Sequence, residues 1–164
     1  MSLHYDSSRD VLTGLYSRAR IRSDFVRLNF AHRWPFSVIV TDVLGLKSLN
    51  DEYSHQSGDE ILCAVALVLK QLFPADSHAT LARIGDDEFA VIIPGANEQA
   101  AAEAVSRIRT EWAATKVASV TGQPVQLAIG AVTCDRSTNA LELWSLIDAR
   151  VYADKRALRK TSRE

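Results

Sequence analysis

Two apolar, strand-like runs joined by a short acidic loop constrain this chain more than any other segment. The runs span residues 79–84 and 89–94, and between them lie Gly85, Asp86, Asp87 and Glu88. This order predicts a β-hairpin with the acids at its tip. Three neighbouring carboxylates repel one another, which a turn does not require, so a divalent cation over the tip would explain them. A solvated acidic turn is the alternative interpretation.

A further acid, Asp42, lies near the end of the β-branched run 37–43. Such a short apolar run predicts a strand buried on both faces, where an unpaired carboxylate is costly to desolvate. If Asp42 lies beside the hairpin tip, Asp42 and Asp87 together offer oxygen ligands to Mg²⁺, which is usually held by one or two carboxylates plus substrate phosphates. That chemistry indicates a nucleotide. The alternative is that Asp42 caps a following helix.

The composition limits the class of protein. The chain has 164 residues, of which 47% are hydrophobic, and this predicts a single domain over residues 1–164 with a real core. A formal net charge of −1 provides no global basic field, so we expect no nucleic-acid partner. No run reaches membrane-spanning length and no signal peptide is visible, which predicts a cytoplasmic location without direct membrane contact. The polar segments 1–9 and 160–164 are interpreted as linker or terminal ends.

The chain has two cysteines, Cys63 and Cys134. Two cysteines do not make a disulfide framework, and Cys63 falls on a predicted apolar helical face. Both are therefore expected to be buried free thiols in a reducing compartment.

Helical and strand-like segments alternate around the hairpin. Helices are predicted at roughly 17–32, 46–53, 58–73 and 97–117, with a last helix after the capping residue Asn139. Further strands are predicted at 37–43 and 123–133. This alternation predicts an α/β (α+β) fold with a single mixed central sheet flanked by helices.

Six motifs, in the same order, resemble those of the GGDEF domain, the diguanylate cyclase family. They cover the chain from Asp10 to Arg159. They are Asp-Val-Leu-Thr-Gly-Leu-Tyr-Ser-Arg from Asp10, Asp-Val-Leu-Gly-Leu-Lys-Ser-Leu-Asn-Asp from Asp42, Ser-His-Gln-Ser-Gly-Asp from Ser54, Arg-Ile-Gly-Asp-Asp-Glu-Phe from Arg83, Ala-Ile-Gly from Ala128, and a closing segment from Asp148. The resemblance implies a nucleotide-cyclase/palm-like fold. It also implies a module of a longer bacterial signalling protein, with a sensor domain and in some cases a phosphodiesterase domain.

The same resemblance implies a nucleotidyltransferase that condenses two GTP to cyclic di-GMP with Mg²⁺ or Mn²⁺. A homodimer of domains is then needed, because each domain holds one GTP. The implied metal ligands are Asp42, Asp87 and the Val43 carbonyl. The implied GTP-binding residues are Asn50 and Asp59 for guanine, and Lys47, Lys155 and Arg159 for the phosphates. The implied catalytic residues are Asp87, Glu88 and Arg83. For Arg83, a structural role is the alternative to a catalytic one.

Asp86 is the main departure from the family pattern, because it replaces the second glycine of the signature. Glycine at a tight tip supplies a positive φ, which aspartate tolerates better than most residues. A carboxylate a few Å from a triphosphate, however, repels it by about 1–4 kcal/mol, depending on the local dielectric.

Two other departures concern residues outside the signature. Leu44 replaces an aspartate that we do not expect to bind metal, and residues 76–79 lack the Arg-x-x-Asp pattern of product inhibition. Two hypotheses therefore stand: a diguanylate cyclase of reduced activity, or a degenerate, non-catalytic GTP-binding regulatory domain. A pure dimerisation domain is disfavoured, because most of the implied ligand-binding residues are retained.

Overall fold

Strands and helices alternate along the chain much as the sequence pattern predicts. A computed structural model describes residues 8–120, 122 and 124–163. Within these residues the strands are β1 (Tyr16–Ser17), β2 (Phe36–Val43), β3 (Thr80–Arg83), β4 (Glu88–Pro94) and β5 (Leu127–Cys134). The helices are α1 (Arg18–Phe30), α2 (Leu46–Glu52), α3 (His55–Leu72), α4 (Glu98–Ala114) and α5 (Ala140–Thr161), and Ala75–Ser77 forms one turn of 3₁₀-helix.

The strands form one mixed sheet in the order β1-β3-β4-β2-β5. β1 pairs with β3 in parallel, while the β3–β4 hairpin and both neighbours of β2 are antiparallel. The register places Asp42 opposite Glu88 on one side and opposite Ala128 on the other. The end of the central strand β2 therefore lies directly beside the start of β4.

Helices cover both faces of the sheet, so every residue of β2 is buried. Ile39 and Val43 belong to the core beneath α3 and α4, whereas Val38 and Val40 belong to the core beneath α1 and α5. Because side chains alternate along a strand, Asp42 points to the same face as Val38 and Val40. This double burial confirms the prediction of a central strand covered on both sides.

Several boundaries differ from the predicted ones for local reasons. α3 begins before Gly58, because the Ser54 hydroxyl accepts a hydrogen bond from the Ser57 amide at 3.1 Å and caps the helix there. β1 was not predicted, since two residues are too few to show an alternating pattern. β5 begins at Leu127, and residue 123, where it was expected to start, lies outside the described residues.

Some of the predicted terminal segments also fall outside the description, namely residues 1–7 and 164. Within the described part, Arg9 forms an isolated antiparallel bridge with Tyr16, and α5 continues to Thr161. None of the described helices is both long and apolar enough to cross a membrane.

The two cysteines differ in exposure, so the prediction that both are buried is wrong for Cys63. Cys63 is exposed, because the buried face of α3 is formed by Ile61, Leu62 and Val65. Cys134 is buried, and burial raises the pKa of its thiol to about 11. Cys134 therefore remains protonated at neutral pH.

Candidate functional site

Three acidic side chains converge where β2 ends and β4 begins. The carboxylates of Asp42, Asp87 and Glu88 offer oxygen atoms that all lie within 4.8 Å of one another. The backbone holds them there, because the Val43 amide donates to the Asp87 carbonyl at 2.9 Å and the Ile84 amide donates to the Glu88 carbonyl at 2.9 Å. Carboxylates at this spacing suit a hard divalent cation.

The negative charges of this cluster are only partly offset by a neighbouring positive charge. Burial, and then the neighbouring charge of Asp42, raise the pKa of Asp87. Burial likewise raises the pKa of Glu88, followed by the charges of Asp42 and Asp87. Lys155, from α5, opposes both shifts, and its ammonium lies 2.5 Å from an oxygen of Asp42. A cation that met these three carboxylates would relieve their mutual repulsion.

Arg83 holds the backbone of the hairpin tip. Its Nε donates to the Gly85 carbonyl at 3.2 Å and its Nη2 donates to the Asp86 carbonyl at 2.7 Å. Its Nη1 lies 3.3 Å from an oxygen of Asp10. All three guanidinium nitrogens thus donate within the protein, which is the geometry expected of a residue that orders the turn.

Asp10 is a partner that the sequence pattern did not assign. It accepts hydrogen bonds from the amide and hydroxyl of Thr13, at 2.9 and 2.7 Å. Burial alone would raise the pKa of Asp10, but these hydrogen bonds and Arg83 outweigh burial and lower it. Asp10 is the first residue of the first motif, and Arg83 is the first residue of the signature. Their opposite charges were the one feature of the sequence that could have suggested this ion pair.

Asp86 does not join the acidic cluster among the described residues. Its side chain is exposed, and its backbone carbonyl accepts the hydrogen bond from Arg83. Neither Gly85 nor Asp86 has a positive φ. The expectation that this position requires glycine-like geometry is therefore wrong, and the effect of Asp86 rests on its charge.

Asn50 and Asp59 come from two helices that pack together. Asn50 lies on α2 and Asp59 lies in the first turns of α3, directly after Gly58. A Cβ on Gly58 would lie 1.8 Å from Asn50 Oδ1, so the absence of a side chain at Gly58 lets the Asn50 amide approach. Asn50 Oδ1 is buried without a hydrogen-bond partner among the described residues. A buried acceptor without a partner is rare and calls for an explanation, and a hydrogen-bond donor on a ligand is one.

The basic residues predicted to bind the phosphates lie on α2 and α5. Lys47 is exposed in the first turn of α2, and Arg159 is exposed one turn beyond Lys155 on α5. Lys155 and Arg159 share a helical face because they are four residues apart. The structure thus brings Lys155 into contact with the acidic cluster, and it leaves Lys47 and Arg159 exposed at helix surfaces.

A sequence model of the family described as "Diguanylate cyclase, GGDEF domain" matches residues 7–161. This chain belongs to that family. The membership inferred from the six motifs is therefore confirmed.

Curated relatives of this GGDEF domain include diguanylate cyclase DosC. The protein from Shigella sonnei is 31% identical over 159 residues, which are 93% of this chain and 34% of the relative. DosC of Escherichia coli K12 is 30% identical over 157 residues, with the same two shares. The chain therefore spans about a third of the length of these relatives.

Solved structures share the fold. The GGDEF domain of DgcB from Caulobacter crescentus, solved in complex with c-di-GMP, aligns with a TM-score of 0.85 at 24% identity, over 95% of this chain and 94% of that chain. The FimX GGDEF domain from Pseudomonas aeruginosa aligns with a TM-score of 0.81 at 24% identity, over 92% of this chain and 95% of that one. These alignments confirm the predicted mixed sheet flanked by helices.

Proposed function

We propose that this domain is a diguanylate cyclase that condenses two GTP to cyclic di-GMP and releases two pyrophosphates. In each half-reaction the 3′-hydroxyl of one GTP attacks the α-phosphate of the other, and the pyrophosphate of the attacked GTP leaves. Each domain holds one GTP, so two domains face each other in a homodimer. The observation that carries this proposal is the convergence of Asp42, Asp87 and Glu88 at the β2–β4 junction.

The residues at this junction fit Mg²⁺ or Mn²⁺. Two carboxylates, Asp42 and Asp87, and the Val43 carbonyl would hold the ion. Burial, and then the charge of Asp42, raise the pKa of Asp87, and a bound ion would oppose both effects. When bound, such an ion neutralises phosphate charge and favours ionisation of the attacking hydroxyl. Glu88, whose pKa is also raised, is proposed to lie beside that hydroxyl and to support its deprotonation.

Guanine recognition is assigned to Asn50 and Asp59. An amide offers both a donor and an acceptor, whereas a carboxylate accepts from the N1–H and 2-amino group of guanine. Adenine lacks that pair of donors, so the pocket would reject ATP. The unpartnered, buried Oδ1 of Asn50 beside Gly58 supports this assignment.

The triphosphate is assigned to Lys47, Lys155 and Arg159. The Lys155 ammonium lies 2.5 Å from an oxygen of Asp42, and its flexible side chain would allow it to contact a phosphate bound beside that carboxylate. Arg83 is assigned to the turn rather than to the chemistry, because its nitrogens already donate to Gly85, Asp86 and Asp10.

The test is to incubate the purified full-length protein with GTP and Mg²⁺ and to measure the formation of cyclic di-GMP by chromatography. We expect product from the wild type and none from Asp87→Ala, because no neighbouring oxygen replaces that ligand with the same geometry. Thermal unfolding of Asp87→Ala provides the folding control. A folded, dimeric wild type that binds GTP and makes no product would overturn the proposed activity.

That outcome would favour a second function, a non-catalytic GTP-binding regulatory domain of a larger cyclic di-GMP signalling protein. The observation in its favour is Asp86, an added carboxylate beside Asp87 at the hairpin tip. In either function we place the domain in the cytoplasm of a bacterium, joined to a sensor domain and, in some arrangements, to a phosphodiesterase domain.

A further inference from the structure

Asp154 connects three elements around an open edge of the sheet. It lies on α5, and its Oδ2 accepts a hydrogen bond from the Ile129 amide of β5 at 2.8 Å. Its Oδ1 accepts a hydrogen bond from Nη2 of Arg109, on α4, at 2.9 Å. β5 is the outer strand on this side, and α4 and α5 pack on opposite faces. The Asp154 carboxylate thus fastens the two helices across the strand edge.

This contact lies next to the acidic cluster in two ways. Ile129 follows Ala128, and Ala128 is the β5 partner of Asp42. Lys155 follows Asp154, and its ammonium lies 2.5 Å from Asp42. The neighbouring residues Asp154 and Lys155 of α5 therefore contact neighbouring residue pairs of β5 and β2, namely Ile129–Thr41 and Ala128–Asp42. Because adjacent helical residues are fixed at about 1.5 Å and 100° from each other, a helix that is fixed at Asp154 is also fixed at Lys155.

We propose that Asp154 is a positioning residue that sets the rotation and the axial register of α5, so that Lys155 reaches the Asp42 carboxylate and the phosphates beside it. Asp154 is itself partly buried, and within the described part of the chain its carboxylate accepts hydrogen bonds from Ile129 of β5 and Arg109 of α4. It acts on the site through Lys155 rather than by touching the ligand.

Arg150 provides a matched control. It lies one turn earlier on α5 and donates to the Ala131 carbonyl, so it joins the same helix to the same strand edge. It is four residues before Asp154 and is not adjacent to Lys155. A role limited to fastening α5 to β5 predicts similar effects of Arg150→Ala and Asp154→Ala. Positioning of Lys155 predicts a clearly larger effect of Asp154→Ala, because Asp154 adjoins Lys155 and Arg150 does not.

The ligand test rests on the proposed function, because it assumes that Lys155 meets the phosphates of GTP. With Mg²⁺ and a GTP analogue carrying a non-cleavable α,β-bridge, calorimetry of Asp154→Ala should show about fivefold or more weaker binding, as expected for loss of one charged contact. GMP, which lacks the β- and γ-phosphates, should bind the variant and the wild type alike in an NMR titration. Arg150→Ala should weaken binding of the analogue clearly less than Asp154→Ala does, and should leave GMP binding unchanged. Equal weakening of the analogue and GMP, or no weakening of either, would overturn the positioning role.

A second measurement needs no ligand, so it separates the two proposals. The measurement is a double-mutant cycle between Asp154 and Lys155. In the wild-type background, Asp154→Ala should also weaken the Lys155–Asp42 contact, whereas in the Lys155→Ala background that contact is already absent. The loss of Tm should therefore be larger in the wild-type background. Equal losses in the two backgrounds would overturn the inference even if GTP binds as proposed. Conversely, failure of the wild type to bind GTP would overturn the proposed function. The Tm values of the Asp154 and Lys155 variants would still decide the role of Asp154. Asp154→Asn, which keeps the acceptor for Ile129, provides a variant of milder effect if alanine prevents folding.

Discussion

At the scale of single residues, Asp86 is an exposed carboxylate on the turn that presents Asp87 and Glu88. If its charge restrains catalysis, Asp86→Gly should raise cyclic di-GMP formation at least several-fold, since about 1 kcal/mol of relieved repulsion corresponds to a factor of about five. Because φ at this position is not positive, Asp86→Asn should give a similar gain. The rate at saturating GTP and Mg²⁺ is the measurement.

The pair of substitutions distinguishes charge from backbone geometry. A gain in Asp86→Gly without a gain in Asp86→Asn would mean that backbone approach, rather than charge, limits the wild type. A loss of turnover in both folded variants would show that the Asp86 carboxylate works in the site.

Gly58 is a second residue with a specific prediction. Gly58→Ala would push the Asn50 amide away, since the new Cβ would lie 1.8 Å from Oδ1. We expect affinity for a GTP analogue to fall about tenfold. The free energy of unfolding should stay level or rise by up to about 1 kcal/mol, because alanine favours helix over glycine. Calorimetry and chemical unfolding measure the two effects.

The control for this prediction is the double variant Gly58→Ala/Asn50→Ala. Its affinity should match that of Asn50→Ala alone, because the substitution at Gly58 acts through the Asn50 side chain. Wild-type affinity in a folded Gly58→Ala protein would contradict the assignment of Asn50 to guanine.

At the scale of elements, Asp24 ties α1 to the start of β3. The Thr80 hydroxyl donates to Asp24 at 2.6 Å, and Arg20 and Arg27 lie 3.1 and 3.3 Å from its oxygens. Burial by itself would raise the pKa of Asp24, but the hydrogen bonds from Thr80 and Arg20 and the nearby charges outweigh burial and lower it. Because the folded state holds the charged form, this contribution to stability is present above the unfolded pKa and is lost as pH falls through the folded value.

Asp24→Asn should therefore lower the Tm at neutral pH, with a loss of about 1–3 kcal/mol. The difference between wild type and variant should shrink as pH falls below about 4, the usual aspartate value. Thermal unfolding from pH 3 to pH 8 checks both points. Thr80→Val is the matched control, since it removes one hydrogen bond and keeps the charge. A difference in Tm that is constant over this range would contradict the linkage.

The segment before the hairpin gives another prediction at this scale. Residues 75–77 form a 3₁₀ turn, His78 has a φ of 59°, and both Asp76 and His78 are exposed. Neither side chain offers the forked, bidentate contact that arginine makes with phosphate or guanine. We expect no high-affinity product inhibition through this segment, measured by titration of cyclic di-GMP into the protein. Tight binding that disappears in Asp76→Ala or His78→Ala would contradict this.

At the scale of the whole molecule, the proposed reaction needs two domains, because each presents one acidic cluster and one GTP. The rate per domain should rise with protein concentration while the domain is mostly monomeric, and level off once dimers predominate. Addition of Asp87→Ala domains to the wild type should lower the rate by forming mixed dimers. A constant rate per domain, at concentrations where sedimentation shows monomers, would contradict the homodimer.

Most of the elements, and the family, could be predicted from residue patterns along the chain. Two apolar runs around a short acidic loop identify the hairpin, and β-branched residues identify β2, because buried strands require apolar residues locally. Asn139 was predicted to begin the last helix, and its side chain does accept the hydrogen bond from the Glu142 amide at 2.8 Å. Such features depend on residues a few positions apart, so periodicity and capping preferences are sufficient to find them.

Which of these residues lie together depends on strand pairing and helix packing. Asp42 joins Asp87 because β2 and β4 pair in one particular register, and a shift of one residue would turn Asp42 to the other face. The contacts of Arg83 with Asp10, and of Asp154 with Ile129, join segments 73 and 25 residues apart. Local patterns indicate which face of a strand or helix is buried. They do not indicate which distant residue lies beside it, because that depends on how both cores pack against the sheet.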